Sequence, residues 1–354
     1  DLLRLERAHM LLNNNYGTQD CTAYQDFRHI IERTDIDAVM ISTPDHWHTI
    51  MALMAARAGK DVCCEKPTLT IREGQILCDT IRRYGRVFQT STEDRSVYIY
   101  HRMAELVRNS RIGQLRTIRV KLPAQPEFPG DPTPMPVPRE LDFDMWLGPA
   151  PEAPYTKDRV HFNFRWLYEY AGGILTDWGT HLFDTAQWAN DTELTGPVEI
   201  DGSGANFWEE GLFNTIRQFH IDFRYANGVH LIVEDGGTSI RCEGTDGWIE
   251  SPSWRAPLQA SDPAILDSVI GPEETHLFTC PAGEHRNFLD CVKSRQDPYF
   301  SVEKGHRVSS ICHLGNISAL LDRKLQWDPE QEQFINDAEA NRYLTRSRRA
   351  PWRL

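Results

Sequence analysis

Two short apolar runs constrain the fold of this chain more than any other feature of its sequence. Residues 37–44 form the first run and residues 61–67 the second, and each ends at a proline. Residues 50–59, between them, have the apolar spacing of a helix and contain a glycine that ends it. A strand, a helix and a strand with short connections predict a parallel βαβ unit. Because ligands bind beyond the carboxyl ends of strands in such sheets, the sequence predicts a crevice where the runs end, beside Lys66.

The length and charge of the chain narrow the possible classes of protein. With 354 residues, the chain can build two domains, each with its own core. Its net charge of −13 argues against a nucleic-acid partner, which would require a basic surface. No apolar run reaches the roughly 18 residues that a membrane-spanning helix needs. The sequence therefore predicts a globular protein with no nucleic-acid partner and no membrane segment.

The eight cysteines are scattered along the chain without the spacing of a disulfide framework or a zinc site. Cys63 and Cys64 are adjacent in the second apolar run, where successive side chains point to opposite faces. This arrangement is typical of buried, reduced thiols.

The predicted elements change in character near residue 115. Before it, the pattern predicts a parallel α/β sheet, with strands at 37–43, 61–65 and 87–90 and helices at 2–14, 26–33, 50–59, 70–84 and 94–110. After it, alternating polar and apolar residues predict a mostly antiparallel sheet, with strands at 117–122, 203–218, 221–225, 229–233, 239–243 and 247–251. Two helices follow, at 285–293 and 302–321.

These patterns divide the chain into residues 1–110 and residues 111–354, with a tail that can pack back on the first domain. Seven prolines between residues 123 and 138 favour a stiff, extended segment. This segment is interpreted as a linker, an arm crossing to another subunit, or a lip over a site.

A second informative stretch, residues 171–188, contains an acid and a histidine four residues apart. Thr176 is predicted to cap a helix that starts near Asp177, which places Asp177 and His181 on one helix face. A carboxylate one turn before a histidine can fix the tautomer of the imidazole and stabilise its protonated form. The glycine pair before the helix allows a backbone to approach a ligand closely. The alternative is a surface histidine beside an ordinary acid.

We predict no metal at this helix. Asp184 continues the face of Asp177 and His181, but it lies about 10 Å along the axis from Asp177. One ion cannot easily contact all three side chains, and the sequence has no cysteine or histidine pair at a known metal-binding spacing.

Lys66, at the end of a buried strand, can lose part of its hydration and hydrogen-bond a substrate hydroxyl or a nicotinamide ribose. A salt bridge with Glu65 is the alternative, although neighbours on a strand face apart. Trp146, Arg165 and the aromatic residues around 162–166 could line a sugar or nicotinamide pocket, with core packing as the alternative for the tryptophans.

Three motifs occur in order: Thr-Pro-Asp-His-Trp-His at residues 43–48, Glu-Lys-Pro at 65–67 and Asp-Trp-Gly-Thr-His at 177–181. Together they resemble the Gfo/Idh/MocA oxidoreductases, the family of glucose–fructose oxidoreductase and inositol dehydrogenase. The resemblance covers nearly the whole chain. It implies a Rossmann-type parallel sheet domain followed by an α/β domain with a large, mostly antiparallel open sheet. In this family that sheet often forms the interface of a homo-dimer or homo-tetramer.

The resemblance also implies roles for individual residues. Lys66, Asp177 and His181 would be catalytic, with His181 taking the proton of the reacting hydroxyl and Asp177 helping to place substrate and base. The implied cofactor contacts are Thr43, Pro44, His46, His48, Glu65, Lys66, Gln89, Trp146 and Arg165. The implied substrate contacts are Arg95, Asn163 and Tyr168.

The family's glycine-rich phosphate loop would precede Asp1, so we expect the sequence to be part of a longer chain. The acid that selects NAD over NADP by bonding the ribose hydroxyls would lie near Asp1. NAD is the expected cofactor, with NADP as the alternative. The expected location is the cytoplasm, or the periplasm after twin-arginine export.

The sequence thus predicts a nicotinamide-dependent oxidoreductase acting on a secondary hydroxyl of a sugar, glycoside or cyclitol. One alternative is an NAD-dependent enzyme that cleaves glycosides through transient oxidation and elimination. The other is a non-catalytic sugar-binding relative.

Overall fold

A computed structural model describes residues 1–354, and its first sheet confirms the parallel βαβ prediction. Three parallel strands lie in the order β1-β2-β3, paired in register at Met40 with Cys63 and Cys63 with Gln89. The elements of this part are α1 (Leu2–Tyr16), α2 (Arg28–Glu32), β1 (Ala38–Ile41), α3 (Asp45–Arg57), β2 (Asp61–Glu65), α4 (Ile71–Tyr84) and β3 (Phe88–Ser91).

Local sequence signals set the ends of these helices. Pro44 precedes α3, which begins at Asp45, five residues earlier than the apolar spacing predicted. Thr70 caps α4 as expected: its Oγ1 accepts a hydrogen bond from the backbone N–H of Glu73 at 3.2 Å. Gly85 ends that helix with a φ of 59°.

The second sheet has nine strands in the order β10-β9-β8-β4-β7-β6-β5-β11-β12, and all pairs except β4 with β7 are antiparallel. This confirms the large, mostly antiparallel sheet. Its elements are α5 (Tyr98–Arg108), β4 (Leu115–Leu122), α6 (Phe143–Leu147), α7 (Ile174–Asp177), α8 (Gly179–Ala189), β5 (Glu199–Asp201), β6 (His220–Arg224), β7 (His230–Asp235), β8 (Ile240–Gly244), β9 (Trp248–Ser251), β10 (Gln259–Ala260), α9 (Pro263–Asp267), α10 (Glu284–Ser294), α11 (Val302–Leu320), β11 (Leu325–Asp328), β12 (Gln333–Phe334) and α12 (Ala338–Arg342).

One face of this sheet forms the main core. Along β4, Ile118 and Val120 are buried against helices, while Arg119 and Lys121 between them are exposed. This period-two alternation leaves the opposite face of the sheet polar and open.

Two predicted elements are wrong in detail. Residues 203–218 are not a strand, and only an isolated bridge pairs Asn206 with Gln218. The predicted helix at 94–110 is divided into a short 3-10 turn, Asp94–Ser96, and α5. The turn follows Glu93, whose φ of 61° points the chain away from the strand before the helix begins.

The tail after α12 connects the two sheets. The backbone N–H of Arg72, in α4, donates to the carbonyl of Leu344 at 2.9 Å. Further along, Arg349 Nε donates to the carbonyl of Gly148 at 3.0 Å, and the ring of Trp352 lies 4.6 Å from that of Trp47. Helix α11 also packs against α4 and β3 of the first sheet. The division of the chain at residue 110 therefore stays a prediction, because later residues pack on both sheets.

All eight cysteines are free thiols, and six of them are buried. Cys63 and Cys64 lie in separate apolar clusters on opposite faces of β2. No helix combines the length and the apolar character needed to cross a bilayer.

Candidate active site

The predicted crevice exists. A cleft of about 340 Å³ lies beyond the carboxyl ends of β1 and β2, where residues from the second sheet close it. Its lining is strongly polar and comprises Ser42, Thr43, Pro44, Asp45, His48, Glu65, Lys66, Phe164, Arg165 and Asp177. Residues 111 positions apart in sequence, Lys66 and Asp177, meet there.

Lys66 pairs with Asp177 and not with Glu65. Its Nζ donates to Asp177 Oδ1 at 3.0 Å and to the backbone carbonyl of Asp177 at 2.5 Å. Arg165 Nε donates to the other carboxylate oxygen, Oδ2, at 3.1 Å. Burial opposes ionisation of Asp177, but Lys66 and then Arg165 outweigh it and hold the pKa of this carboxyl below its ordinary value. One carboxylate therefore binds two cations at the cleft.

The helix that presents Asp177 begins earlier than predicted, so the assignment of Thr176 as its cap is wrong. Gly173, with a φ of 69°, precedes α7, and Thr176 lies inside it. Thr176 Oγ1 donates to the carbonyl of Gly173 and accepts from the N–H of Gly172, which closes the turn around the glycine pair. The helix breaks at Trp178, so Asp177 and His181 belong to successive helices, α7 and α8.

His181 lies one turn after Asp177, but its hydrogen-bond partners come from the loop after β3. Nδ1 is 3.0 Å from the carbonyl oxygen of Thr92 and 3.1 Å from Asp94 Oδ2. The expectation that Asp177 fixes the tautomer of His181 is therefore wrong, because the carboxylate of Asp177 is bound by Lys66 and Arg165. Nε2 of His181 makes no hydrogen bond within the protein, and the side chain is 20% exposed.

Three residues near Lys66, Asp177 and His181 were not predicted as site residues. Asp45, at the start of α3, lines the cleft, and burial together with the charge of Asp177 raises the pKa of its carboxyl to about 7. Asp94 and Arg255 lie behind His181. Asp94 follows a strand that was predicted, so its position at a carboxyl end was a usable signal, whereas nothing in the sequence marked Arg255.

Two histidines of the first motif are buried. His48 lies between the carbonyl oxygens of Pro67 and Thr43, at 2.8 and 2.7 Å, and so links the ends of β1 and β2. His46 contacts the carbonyl of Trp146 at 2.9 Å. Burial lowers the pKa of each imidazole to about 4. His48 lines the cleft, whereas His46 supports it from behind.

Two other predicted contacts lie away from the cleft. Arg95 is 3% exposed, and its guanidinium donates to Asp184 at 2.6 and 2.8 Å and to Glu193 at 2.6 Å. Because its charge is already neutralised in the interior, the structure contradicts the assignment of Arg95 as a substrate contact. Gln89 is also fully buried and donates to the carbonyl of Glu284 at 2.9 Å.

The remaining aromatic and polar candidates border other surfaces. Tyr168 lines a separate cleft near the tail, where the guanidinium of Arg346 stacks on its ring at 3.6 Å. Asn163 faces Asp158 at 3.4 Å. Trp146 packs edge-on against Tyr170 at 4.8 Å and lines a cleft next to the first one. Of these three, only Trp146 lies close to the ends of β1 and β2.

The cleft fits the nicotinamide end of a dinucleotide. Thr43 Oγ1 is buried at the end of β1 without a hydrogen-bond partner. Thr43 and Pro44 also line an adjoining cleft of about 590 Å³, which extends to Asp1 and Phe27. Before Thr43 the only glycine is Gly17, so no glycine-rich phosphate loop lies among these residues.

A Rossmann-type sheet whose carboxyl edge presents lysine, histidine and carboxylates to a cleft defines a nicotinamide-dependent oxidoreductase fold. Sequence comparison gives the family. Residues 5–92 match the profile described as "Oxidoreductase family, NAD-binding Rossmann fold", and residues 130–354 match "Oxidoreductase family, C-terminal alpha/beta domain". The chain belongs to the Gfo/Idh/MocA oxidoreductase family. This confirms the predicted family, the fold and, at the level of the domain, the assignment of NAD as cofactor.

The individual relatives are similar either over a short stretch or at low sequence identity. The chain is 35% identical over 98 residues to an uncharacterized oxidoreductase, ORF334, of Rhizobium meliloti; the match covers 27% of this chain and spans 29% of that relative's length. It is 22% identical over 296 residues to myo-inositol 2-dehydrogenase of Thermotoga maritima, covering 80% of this chain and 77% of that one. Among solved structures, levoglucosan dehydrogenase in complex with NADH and L-sorbose matches with a TM-score of 0.62 at 21% identity. That match covers 90% of this chain and 87% of the other, and at this identity it shows the fold alone.

Proposed function

We propose that this protein uses NAD, or alternatively NADP, to oxidise a secondary hydroxyl of a sugar, glycoside or cyclitol, or to reduce the corresponding ketone. The observation that carries the proposal is the meeting of Lys66, from the end of β2, with the Asp177–His181 turn of the second sheet domain. Lys66 Nζ thus contacts the segment that carries His181, beyond the strand ends where a dinucleotide binds.

Each of these residues has a distinct task. His181 Nε2, unbonded within the protein, accepts the proton of the reacting hydroxyl. Lys66 Nζ donates a hydrogen bond to the same oxygen and stabilises the negative charge that develops on it. Asp177 holds Lys66 and Arg165 in place. When bound, the nicotinamide accepts or returns the hydride.

The cofactor would be held by residues at the ends of β1 and β2. Thr43 and Pro44 lie where the two adjoining clefts meet, and Thr43 Oγ1 offers a free hydrogen-bonding group. Glu65 and His48 line the same cleft, and burial raises the pKa of the Glu65 carboxyl. Trp146 and Arg165 complete the proposed contacts, whereas Gln89 is buried away from the cleft.

Self-association through the open face of the nine-stranded sheet, as a homo-dimer or homo-tetramer, is part of the proposal. This face carries alternating charges, such as Arg119 beside Glu243 and His220 beside Glu234. Static light scattering at several concentrations would test it, and a monomer at all of them would contradict it.

The experiment is a turnover assay with NAD⁺ and NADP⁺ and a panel of inositols, glucosides and anhydrosugars, followed by nicotinamide absorbance. We expect His181→Gln and Lys66→Met each to lower kcat about 10²- to 10⁴-fold. Cofactor affinity should be kept in His181→Gln.

The chain offers matched controls for both variants. Lys60, at the opposite end of β2, is 3% exposed and bonded only to the carbonyls of Arg33 and Ile36. His101, in α5, bonds to the carbonyl of Leu277. Lys60→Met and His101→Gln should leave kcat unchanged. Unchanged turnover in His181→Gln or Lys66→Met would remove that residue from the mechanism, and sugar binding without turnover would favour the non-catalytic relative.

Asp45 supports a second candidate, glycoside cleavage by transient oxidation and elimination. Elimination needs a base for a carbon-bound proton, and Asp45 is a carboxyl with a pKa of about 7 in the same cleft that the oxidation step does not use. After the aglycone leaves, water adds and the hydride returns, so the cofactor shows no net change. Release of aglycone without net NADH would favour this candidate, and stoichiometric NADH without aglycone release would exclude it.

A further inference from the structure

The carboxylate of Asp94 is aimed at His181 from inside the protein. Its side chain is 0% exposed, and Oδ2 lies 3.1 Å from His181 Nδ1 but accepts no hydrogen bond. The Nδ1–H direction points at the carbonyl of Thr92, 3.0 Å away. A carbonyl and a carboxylate can only accept hydrogen bonds from this nitrogen, so together they require Nδ1 to carry the hydrogen and leave Nε2 free.

The other oxygen of Asp94 is fixed by a residue 161 positions later in the chain. Arg255 donates to Oδ1 from Nε at 3.2 Å and from Nη2 at 3.0 Å. This ion pair gives the buried carboxylate a cationic partner, and an unpaired charge in the interior would be costly. It also decides which oxygen faces the imidazole.

The loop that carries Thr92 and Asp94 is held at both of its ends. Glu284 accepts from Ser91 Oγ at 2.6 Å and from the backbone N–H of Glu93 at 2.8 Å. Glu93 and Arg255 have φ values of 61° and 58°, in the left-handed region that side chains rarely adopt. Such backbone strain, maintained by surrounding bonds, is concentrated at functional sites.

We propose that Asp94, held by Arg255, is the positioning residue for His181: it fixes the Nδ1–H tautomer and so keeps Nε2 ready to accept the substrate proton. The catalytic meaning of this arrangement rests on the proposed function, whereas the tautomer itself does not. Asp177, although adjacent to His181 in sequence, does not share the task because both its oxygens are bound by cations.

The test is ¹⁵N NMR of histidine-labelled protein with NAD⁺ present, with His181 assigned by its absence in His181→Gln. We expect the Nδ1–H tautomer in the wild type. In Asp94→Asn, Arg255 retains the amide oxygen, so the NH₂ group faces Nδ1 and opposes its hydrogen, and only the carbonyl of Thr92 still favours it. The fraction of His181 in the Nε2–H tautomer should therefore rise above that in the wild type. A wild-type Nε2–H tautomer overturns the proposal, and it does so even without a known substrate.

Kinetics then show whether Asp94 acts through His181. Asp94→Asn should lower kcat about 10²- to 10⁴-fold with KM changed less than about threefold, and it should cause no further loss in the His181→Gln background. Additive losses would overturn the proposal.

Asp184→Asn is the matched control. The carboxylate of Asp184 is also 0% exposed, but it is bound by Arg95 and does not contact His181. It should lower the melting temperature but leave the His181 tautomer and kcat unchanged. If Asp184→Asn changed the His181 tautomer and kcat as Asp94→Asn does, a general loss of packing would explain the results and the proposal would be overturned. If Asp94→Asn does not fold, the wild-type tautomer alone decides.

Discussion

The two carboxylates beside Lys66 and His181, those of Asp177 and Asp94, are held in opposite ways. The side chain of Asp177 is 21% exposed and binds two cations, Lys66 and Arg165, in the wall of the cleft. The side chain of Asp94 is fully buried, binds one guanidinium, and directs its remaining oxygen at His181. Both pairs join the two parts of the chain, yet only the first is open to a ligand.

The two carboxylates differ in whether water or a ligand can displace their partners. Water and polar ligands can compete for Lys66, because its partner is partly solvated and ion pairs of this kind are individually weak. Nothing of that sort reaches Asp94, so its effect on His181 is the same with or without substrate. In the proposed function, Lys66 can thus exchange a hydrogen bond with Asp177 for one with the substrate oxygen, whereas the orientation of His181 is fixed in advance.

The largest effect is expected from removing the shared charge at the open pair. In Asp177→Asn, Lys66 keeps the backbone carbonyl but loses the carboxylate, and Arg165 loses its only acidic partner. We expect kcat/KM to fall about 10²-fold or more and the free energy of unfolding to fall by about 1–3 kcal/mol. Steady-state kinetics and urea unfolding measure the two quantities. Full activity would show that Asp177 does not hold Lys66 for catalysis.

A smaller effect on activity, with a clear effect on stability, is expected at the buried pair. Arg255→Ala leaves the Asp94 carboxylate without its guanidinium, and because the Arg255 side chain is 34% exposed, water replaces part of the lost bonding. The free energy of unfolding should fall by about 1–3 kcal/mol. Arg241→Ala, which removes a partly exposed arginine bound to Glu243 on the open sheet face, is the matched control and should cost less. Equal losses would mean that the Asp94–Arg255 pair behaves as an ordinary surface pair.

The smallest effect on the oxidation rate is expected at Asp45, where the change is a pH dependence of stability. Its pKa is about 7 in the folded protein against an ordinary 3.8, so between these values the folded state binds more protons than the unfolded state. Its contribution to stability therefore falls as the pH rises from about 4 to about 7. The unfolding free energy of Asp45→Asn relative to wild type should increase over this window and then level off.

Asp35→Asn is the control for this measurement. Asp35 is exposed, and its hydrogen bond to Arg33 lowers the pKa of its carboxyl to about 2, so its pH-dependent contribution lies below pH 4. A flat difference between Asp45→Asn and wild type from pH 4 to 7 would show that Asp45 ionises normally.

Much of the open side of the cleft could be predicted from sequence because its signals are local. An apolar run that ends at Glu65, Lys66 and a proline identifies a strand end, and strand ends of a parallel sheet meet at one edge. Asp177 and Arg165 are identified by their motifs and by aromatic neighbours. The same reasoning failed at Thr176, because a glycine with a φ of 69° started the helix earlier than the capping residue suggested.

The buried contacts of Asp94 with His181 and Arg255 could not be predicted from local sequence signals. The interaction of Asp94 with His181 spans 87 positions and that with Arg255 spans 161, so each depends on how the two sheets pack rather than on spacing. Arg95 shows the converse error: an arginine beside the site in sequence is enclosed by Asp184 and Glu193 in the fold. Proximity in sequence favoured Asp177 as the partner of His181 and Arg95 as a residue of the cleft, but in the fold Asp94 faces His181 and Arg95 is enclosed.

The tail gives the molecule a restraint on how the cleft can open. Its bonds to Arg72 in α4 and to the carbonyl of Gly148 attach one short segment to both walls, with Trp352 packed on Trp47 between them. Separation of the walls at this end would break all three contacts at once. The tail therefore restrains relative motion of the two sheets, and removal of the residues after Leu344 should allow larger displacements between them.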